Sequence, residues 1–150
     1  MSKKNFLFLS FAIPEIGIDE MFRIDRYPQM QTHKFNWNLI KGVEFCNEHE
    51  FTYISTRPVS DYPYYPQKKI EKKIWKEKIE NKDITLKDTP FINTSILKIF
   101  TRFISSLYFS IKKYNKVKNK GGVLVYSVHV PFMLSGFVIS KIYNIDLIAI

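Results

Sequence analysis

The stretch GGVLVYSVHVPFMLSGFVISKIYNIDLIAI, Gly121 to Ile150, carries the pattern that decides the fold. Gly121-Gly122 turns the chain into VLVYSV, a short β-branched and aromatic run that reads as a strand. Pro131 to Tyr143 is apolar nearly all round and reads as a short, well-covered helix, with Pro131 suited to its first turn. IDLIAI then forms another strand. Strand, helix and strand in so few residues imply a right-handed βαβ unit. Uninterrupted apolar strands imply a parallel sheet covered on both faces.

The same alternation runs upstream. Asn5 to Phe11 is a continuous apolar run and reads as the first strand. Ala12 to about Thr32 contains the breakers Pro14, Gly17 and Pro28 and reads as a long loop, a place where function often sits. THKFNWNLIKGVEFCNEHE predicts an amphipathic helix, with Thr32 as N-cap and Phe35, Leu39, Val43 and Cys46 on one face. FTYISTRP is a second strand stopped by Pro58, and VSDYPYYPQ is irregular. The charge run KKIEKKIWKEKIENKD fits either a narrow helical stripe through Ile70, Ile74 and Ile79 or a solvated excursion. A short third strand is expected within Ile84 to Ile92.

NTSILKIFTRFISSLYFSIKKYNK is the clearest helix. Ile96, Phe100, Phe103, Ile104, Leu107, Tyr108 and Ile111 form a broad apolar face, with Lys98, Thr101, Arg102 and Ser105 largely opposite. At helical spacing such a stripe is read as core, with a membrane-facing role as the alternative. The expected class is therefore α/β: a Rossmann-like, mostly parallel sheet with helices on both faces, in one domain spanning residues 1–150.

Composition narrows the partners. The chain has 150 residues, 45% hydrophobic and 25% charged, which is a globular profile with room for one core. Its formal net charge of +9 favours anionic partners: phosphorylated ligands, acidic lipid headgroups or nucleic acid. No recognised nucleic-acid motif is present, so nucleic acid is not expected. Cys46 is the single cysteine, which excludes a disulfide framework and suits a cytoplasmic setting. The three histidines lack metal-ligand spacing with each other or with Cys46, and no metal or cofactor is expected. Neither G-x-G-x-x-G nor a Walker loop occurs.

Position within the fold then becomes the guide. Open parallel sheets bind ligands at the carboxyl ends of their strands, near the switch in strand order. His129 follows the fourth strand and precedes Pro131, so its ring would face that crevice beside helix N–H groups able to receive an anion; a packed loop histidine is the plain alternative. The first loop opens on the same crevice, which makes Arg23, Arg26 and Gln31 candidate binding residues against a reading as solvated loop charge. Lys68, Lys69, Lys72 and Lys73, with Trp75 beside them, resemble an interfacial patch for acidic lipid, against a reading as an ordinary soluble face.

FLFLSFAIP with its long loop, QTHKFNWNLIKGVE, YISTRPVSDYP and VLVYSVHVPFMLSGFVISKIYNIDLIAI together resemble the N-terminal half of GT-B glycosyltransferases. The nearest group is the retaining glycogen-synthase-like and mannosyltransferase-like enzymes that build bacterial capsular and surface polysaccharides. The resemblance implies an acceptor-binding domain, with His129 lining the catalytic cleft near the transferred sugar. It implies a nucleotide-sugar donor as substrate and a lipid-linked or saccharide acceptor, on the cytoplasmic side of the plasma membrane. The glycine-rich donor-phosphate loop of many members is not matched: IPEIGIDEMF offers Gly17 alone. The family's acidic donor motif belongs to a C-terminal domain absent from these residues, so a truncated half-enzyme, inactive alone, is expected. The competing expectations are a non-catalytic basic α/β module that binds acidic lipid or another anion, and a remnant reading frame without function.

Overall fold

The computed structural model describes residues 3–46, 48–126 and 129–150. The chain runs β1 (Asn5–Ser10), α1 (Glu15–Ile24), α2 (Met30–Cys46), β2 (Glu50–Ser55), β3 (Lys69–Ile70), β4 (Lys73–Ile79), β5 (Lys82–Asp88), β6 (Phe91–Ile92), α3 (Ser95–Tyr114), β7 (Lys120–Val125), α4 (Val130–Tyr143) and β8 (Asp146–Ala149). Six strands form one sheet in the order β4-β5-β2-β1-β7-β8, and β3 pairs with β6 in a small ribbon. Every neighbour in the large sheet is parallel except β4 against β5. The fold is thus α/β, with a mostly parallel sheet flanked by helices and compatible with a Rossmann-like arrangement.

Both faces of the sheet are covered, as the unbroken apolar strands require. Leu7, Leu9, Ile54, Val123 and Val125 pack with Tyr114 of α3 and with Phe132 and Ile139 of α4. Their strand neighbours Phe8, Tyr53 and Leu124 point the other way and pack with Trp37 and Ile40 of α2. Strand order reverses at β1: β2 and β5 lie on one side of it, β7 and β8 on the other. The carboxyl ends of β1 and β7 therefore define the switch point, where a ligand crevice is expected.

Several local readings change. The first loop contains helix α1, which starts after Pro14 and includes Gly17. Proline suits a helix entry, because its missing N–H is one the first turn leaves unpaired. Helix α2 begins at Met30, ahead of Thr32. Gly121 and Gly122 belong to β7, where an added Cβ would lie 2.7 Å and 3.1 Å from the ring of Phe6. Their missing side chains let that ring lie on the strand. The lysine-rich run is a hairpin: β4 and β5 pair from Lys73↔Asp88 to Ile79↔Lys82, around Glu80 at φ 53. Alternation along β4 turns Trp75, Glu77 and Ile79 inward and leaves Ile74, Lys76 and Lys78 outside. Within the reading of 123–128 as a strand, Ser127 and Val128 lie outside the described residues.

The largest correction concerns α3, which turns much of its polar side inward, although Leu107 and Ile111 of the expected apolar face do pack against the core. Lys98, Arg102, Ser106, Ser110 and Tyr114 are buried, at i+4 spacing. On the opposite side, Ile96 is 71% exposed, Phe100 60%, Ile104 61% and Tyr108 56%. Small residues make the inner contact possible. The Ser106 and Ser135 hydroxyls meet at 2.6 Å where α3 crosses α4, and Ser135 also donates to the Phe103 carbonyl at 3.2 Å. Helix α2 is rolled in the same sense, though less far: His33, Asn36 and Glu44 are buried, while Phe35 and Cys46 are exposed.

This packing has an unusual mutational signature. Ser106→Leu should force α3 from α4 and cost about 1–3 kcal/mol, whereas Phe100→Ser should stay within about 0.5 kcal/mol of wild type. Urea unfolding of the two variants is the check, and a core-facing Phe100 would reverse the ranking.

Candidate functional site

An open cavity of about 440 Å³ lies at the switch point, lined by Gln29, Asp61, the first two turns of α3, His129, Val130 and Pro131. Each wall follows from the topology. Phe11 leaves β1 and its ring meets His129 at 4.7 Å; Phe132 closes the other side of the imidazole at 4.4 Å. Lys98 and Arg102 reach in from the buried stripe of α3.

Arg102 is the centre of this arrangement. It is only 5% exposed, and among the described residues no carboxylate lies within ion-pair distance. One terminal nitrogen donates to the Arg57 carbonyl at 2.8 Å; the other approaches His129 Nε2 at 3.5 Å; Nε has no partner. The rings of Phe91 and Phe11 lie 4.2 Å and 4.9 Å from the guanidinium carbon, so cation–π attraction offsets part of its lost hydration. Burial still pulls its pKa down to about 9, with Asp61 and Asp88 acting against the fall, and the group stays charged at neutral pH.

The neighbouring cations are better matched. Lys98 Nζ binds the Val59 carbonyl and Asp61 Oδ1, each at 2.7 Å. Burial lowers Lys98 to about 8, Arg102 repels it further, and Asp61 partly restores it. Arg57 Nε pairs with Asp88 Oδ2 at 2.6 Å. Asp88 is fully buried, and that burial, only partly offset by Arg57, raises its carboxyl to about 6. Asp25 accepts from the Ser60 amide at 2.8 Å and from the Ser60 hydroxyl, which ties the end of α1 to the loop after β2.

His129 is held neutral. Burial, then the charges of Arg102 and Lys98, push its pKa down to about 2. Because a guanidinium only donates, Nε2 accepts and the imidazole proton sits on Nδ1, which has no partner among the described residues. Such a histidine can hydrogen-bond a ligand, but it cannot exchange protons near neutral pH. The helix it precedes has few free donors, since Pro131 has no N–H and the amides of Phe132 and Met133 bond the His129 carbonyl. The cationic character of the cavity therefore comes from Arg102 and Lys98 more than from the start of α4.

The other sequence candidates fall outside this cavity. Arg23 and Gln31 are exposed; Arg26 is exposed too, with its guanidinium over the rings of Tyr27 and Tyr64. The glutamine on the cavity wall is Gln29. Lys68, Lys69, Lys72 and Lys73 are exposed, whereas Trp75 turns inward. Its ring lies against α1, 2.4 Å from where a Cβ on Gly17 would stand. That contact explains Gly17 without any phosphate. Reading α3 as apolar-side-in hid Lys98 and Arg102, although a lysine and an arginine one turn apart on the polar side were visible.

Among the described residues there is no cluster of histidine, cysteine and carboxylates able to hold a metal ion, and no helix is long and apolar enough to cross a membrane. Comparison with protein-family models, with curated proteins and with solved structures finds no match to this chain.

The imidazole leaves a trace in stability. Between pH 6.5 and about 2 the unfolded chain binds a proton at His129 that the folded protein refuses, so this group makes stability fall as pH drops through that window. The slope it contributes is at most about 1.4 kcal/mol per pH unit. Asp88 has the opposite sign between 3.8 and about 6, so comparison with a variant isolates the histidine. His129→Gln should be less acid-sensitive than wild type in chemical denaturation at pH 4.5–7; parallel profiles would place the imidazole in contact with water.

Proposed function

We propose that this chain is the acceptor-binding domain of a sugar-transferring enzyme of the GT-B type, and that its cavity takes the anionic end of a phosphorylated, lipid-linked or saccharide acceptor. The observation that carries the reading is the buried guanidinium of Arg102, with no carboxylate at ion-pair distance among the described residues, beside a neutral histidine at the switch point. A buried cation without a matching carboxylate is costly. An anion in the cavity would supply the missing charge through charge-assisted hydrogen bonds.

In this reading Arg102 and Lys98 hold the phosphoryl oxygens. His129, with one donor and one acceptor nitrogen, hydrogen-bonds a sugar hydroxyl and orients it. Its depressed pKa assigns it positioning and electrostatic complementarity, and leaves proton transfer to other groups. Enzymes of this type hold the nucleotide sugar on their other domain, so the role assigned to these residues is acceptor binding. It would take place at the inner face of the plasma membrane, where a lipid-linked acceptor would be presented.

The second reading, a basic module that binds anions without chemistry, is favoured by the same observation that His129 stays neutral and does not exchange protons near neutral pH. Ligand preference separates the two. Saturation-transfer NMR and thermal-shift titration with glucose 1-phosphate and inorganic phosphate should show the sugar phosphate binding about tenfold more tightly, a difference of about 1.4 kcal/mol. His129→Ala should reduce the sugar phosphate to the affinity of phosphate, and Arg102→Met should abolish both. Equal affinities in wild type would support the plain anion-binding module. No binding of either ligand would remove both readings.

A further inference from the structure

The outward side of α3 is the feature that the cavity does not explain. A 20-residue helix presents Ile96, Phe100, Ile104 and Tyr108 to solvent while Lys98, Arg102, Ser106 and Ser110 are buried. Helix α4, packed beside it, adds Val130, Leu134 and Phe137, which are 59%, 48% and 52% exposed. Large apolar side chains massed on one side of a molecule mark a surface with a partner.

Charge identifies that partner. From Thr89 to Ile145 there is no aspartate or glutamate, against eight lysines and arginines. Four of those lysines, Lys112, Lys113, Lys116 and Lys118, are exposed at and just beyond the end of α3. Two of the eight border exposed aromatic rings of these helices: Lys112 lies 5.6 Å from the ring of Tyr108, and Lys141 lies 5.6 Å from the ring of Phe137. Lysines and aromatic rings side by side around an apolar face suit the boundary between acyl chains and headgroups. Two copies packed through this face would bring together cations with no carboxylate on either helix to receive them. An anionic lipid surface meets both requirements.

We infer that the outer face of α3, flanked by α4, lies in the interfacial layer of an anionic lipid bilayer. The face runs into the rim of the cavity: Ile96, Ile99 and Val130 are exposed and also line its mouth. Docking would therefore open the cavity towards the headgroup layer. This moves the lipid contact away from Lys68–Trp75, where Trp75 turns inward. The inference adds to the acceptor-domain reading but does not rest on it, since loss of phosphate binding at Arg102 would leave the docking face intact.

The test uses the full chain with Cys46→Ser, carrying either Ile104→Cys on the proposed face or Asn38→Cys on the outer side of α2, each labelled with an environment-sensitive fluorophore. With vesicles of phosphatidylcholine and phosphatidylglycerol, the label at 104 should brighten several-fold and shift to the blue, while the label at 38 should not respond. Partition should fall at least tenfold in pure phosphatidylcholine and weaken with added salt. Phe100→Ser with Ile96→Ser should lower partition at least tenfold at an unchanged melting temperature, because both side chains are solvent-facing. A silent label at 104, equal binding to neutral vesicles, or a vesicle-independent dimer that shields position 104 would each overturn the inference.

Discussion

The roll of α3 about its own axis sets much of the rest of the molecule, and the buried guanidinium of Arg102 sets that roll. Seated between Phe11 and Phe91 and bonded to the Arg57 carbonyl, it fixes which side of the helix meets the sheet. Lys98, one turn earlier, is fixed in the same orientation by Val59 and Asp61. One turn later, Ser106 is small enough for the helix to approach α4. With that side turned in, the 96/100/104/108 stripe can only turn out. A cationic cavity and an apolar exterior are thus two consequences of one orientation.

The order of the parallel strands and of helices α2 to α4 was legible, because continuous apolar runs such as Asn5–Phe11 and Val123–Val125 have few alternatives to buried parallel strands. The position of His129 followed from that order. Helix roll was not legible. The usual inference turns the apolar side inward, and it assumes that polar side chains cannot be satisfied inside. Here Asn36 is satisfied by the Phe11 amide and the Thr32 carbonyl, and Glu44 by the Tyr53 hydroxyl at 2.6 Å and Lys82 at 2.5 Å. Two of these partners, the Phe11 amide and Lys82, lie far from Asn36 and Glu44 in sequence, so no local pattern announces them.

Two smaller readings failed for a related reason. Pro14 and Gly17 looked like breakers, yet one enters a helix and the other makes room for Trp75. The lysine-rich run looked featureless because its alternation is charge against charge as often as charge against apolar, and its turn contains no glycine. In each case the deciding neighbour was supplied by tertiary structure.

The two borders of the sheet also differ in kind. At one, β4 carries Lys73, Lys76 and Lys78 along an exposed strand. Such charges make it costly for another strand to pair there. At the other, β8 offers Leu147, Ile148 and Ala149 with a single charge, Asp146, and Ile148 is 42% exposed. The sheet thus has a margin guarded by charge and one that is not, so edge pairing is opposed at β4 and unopposed at β8.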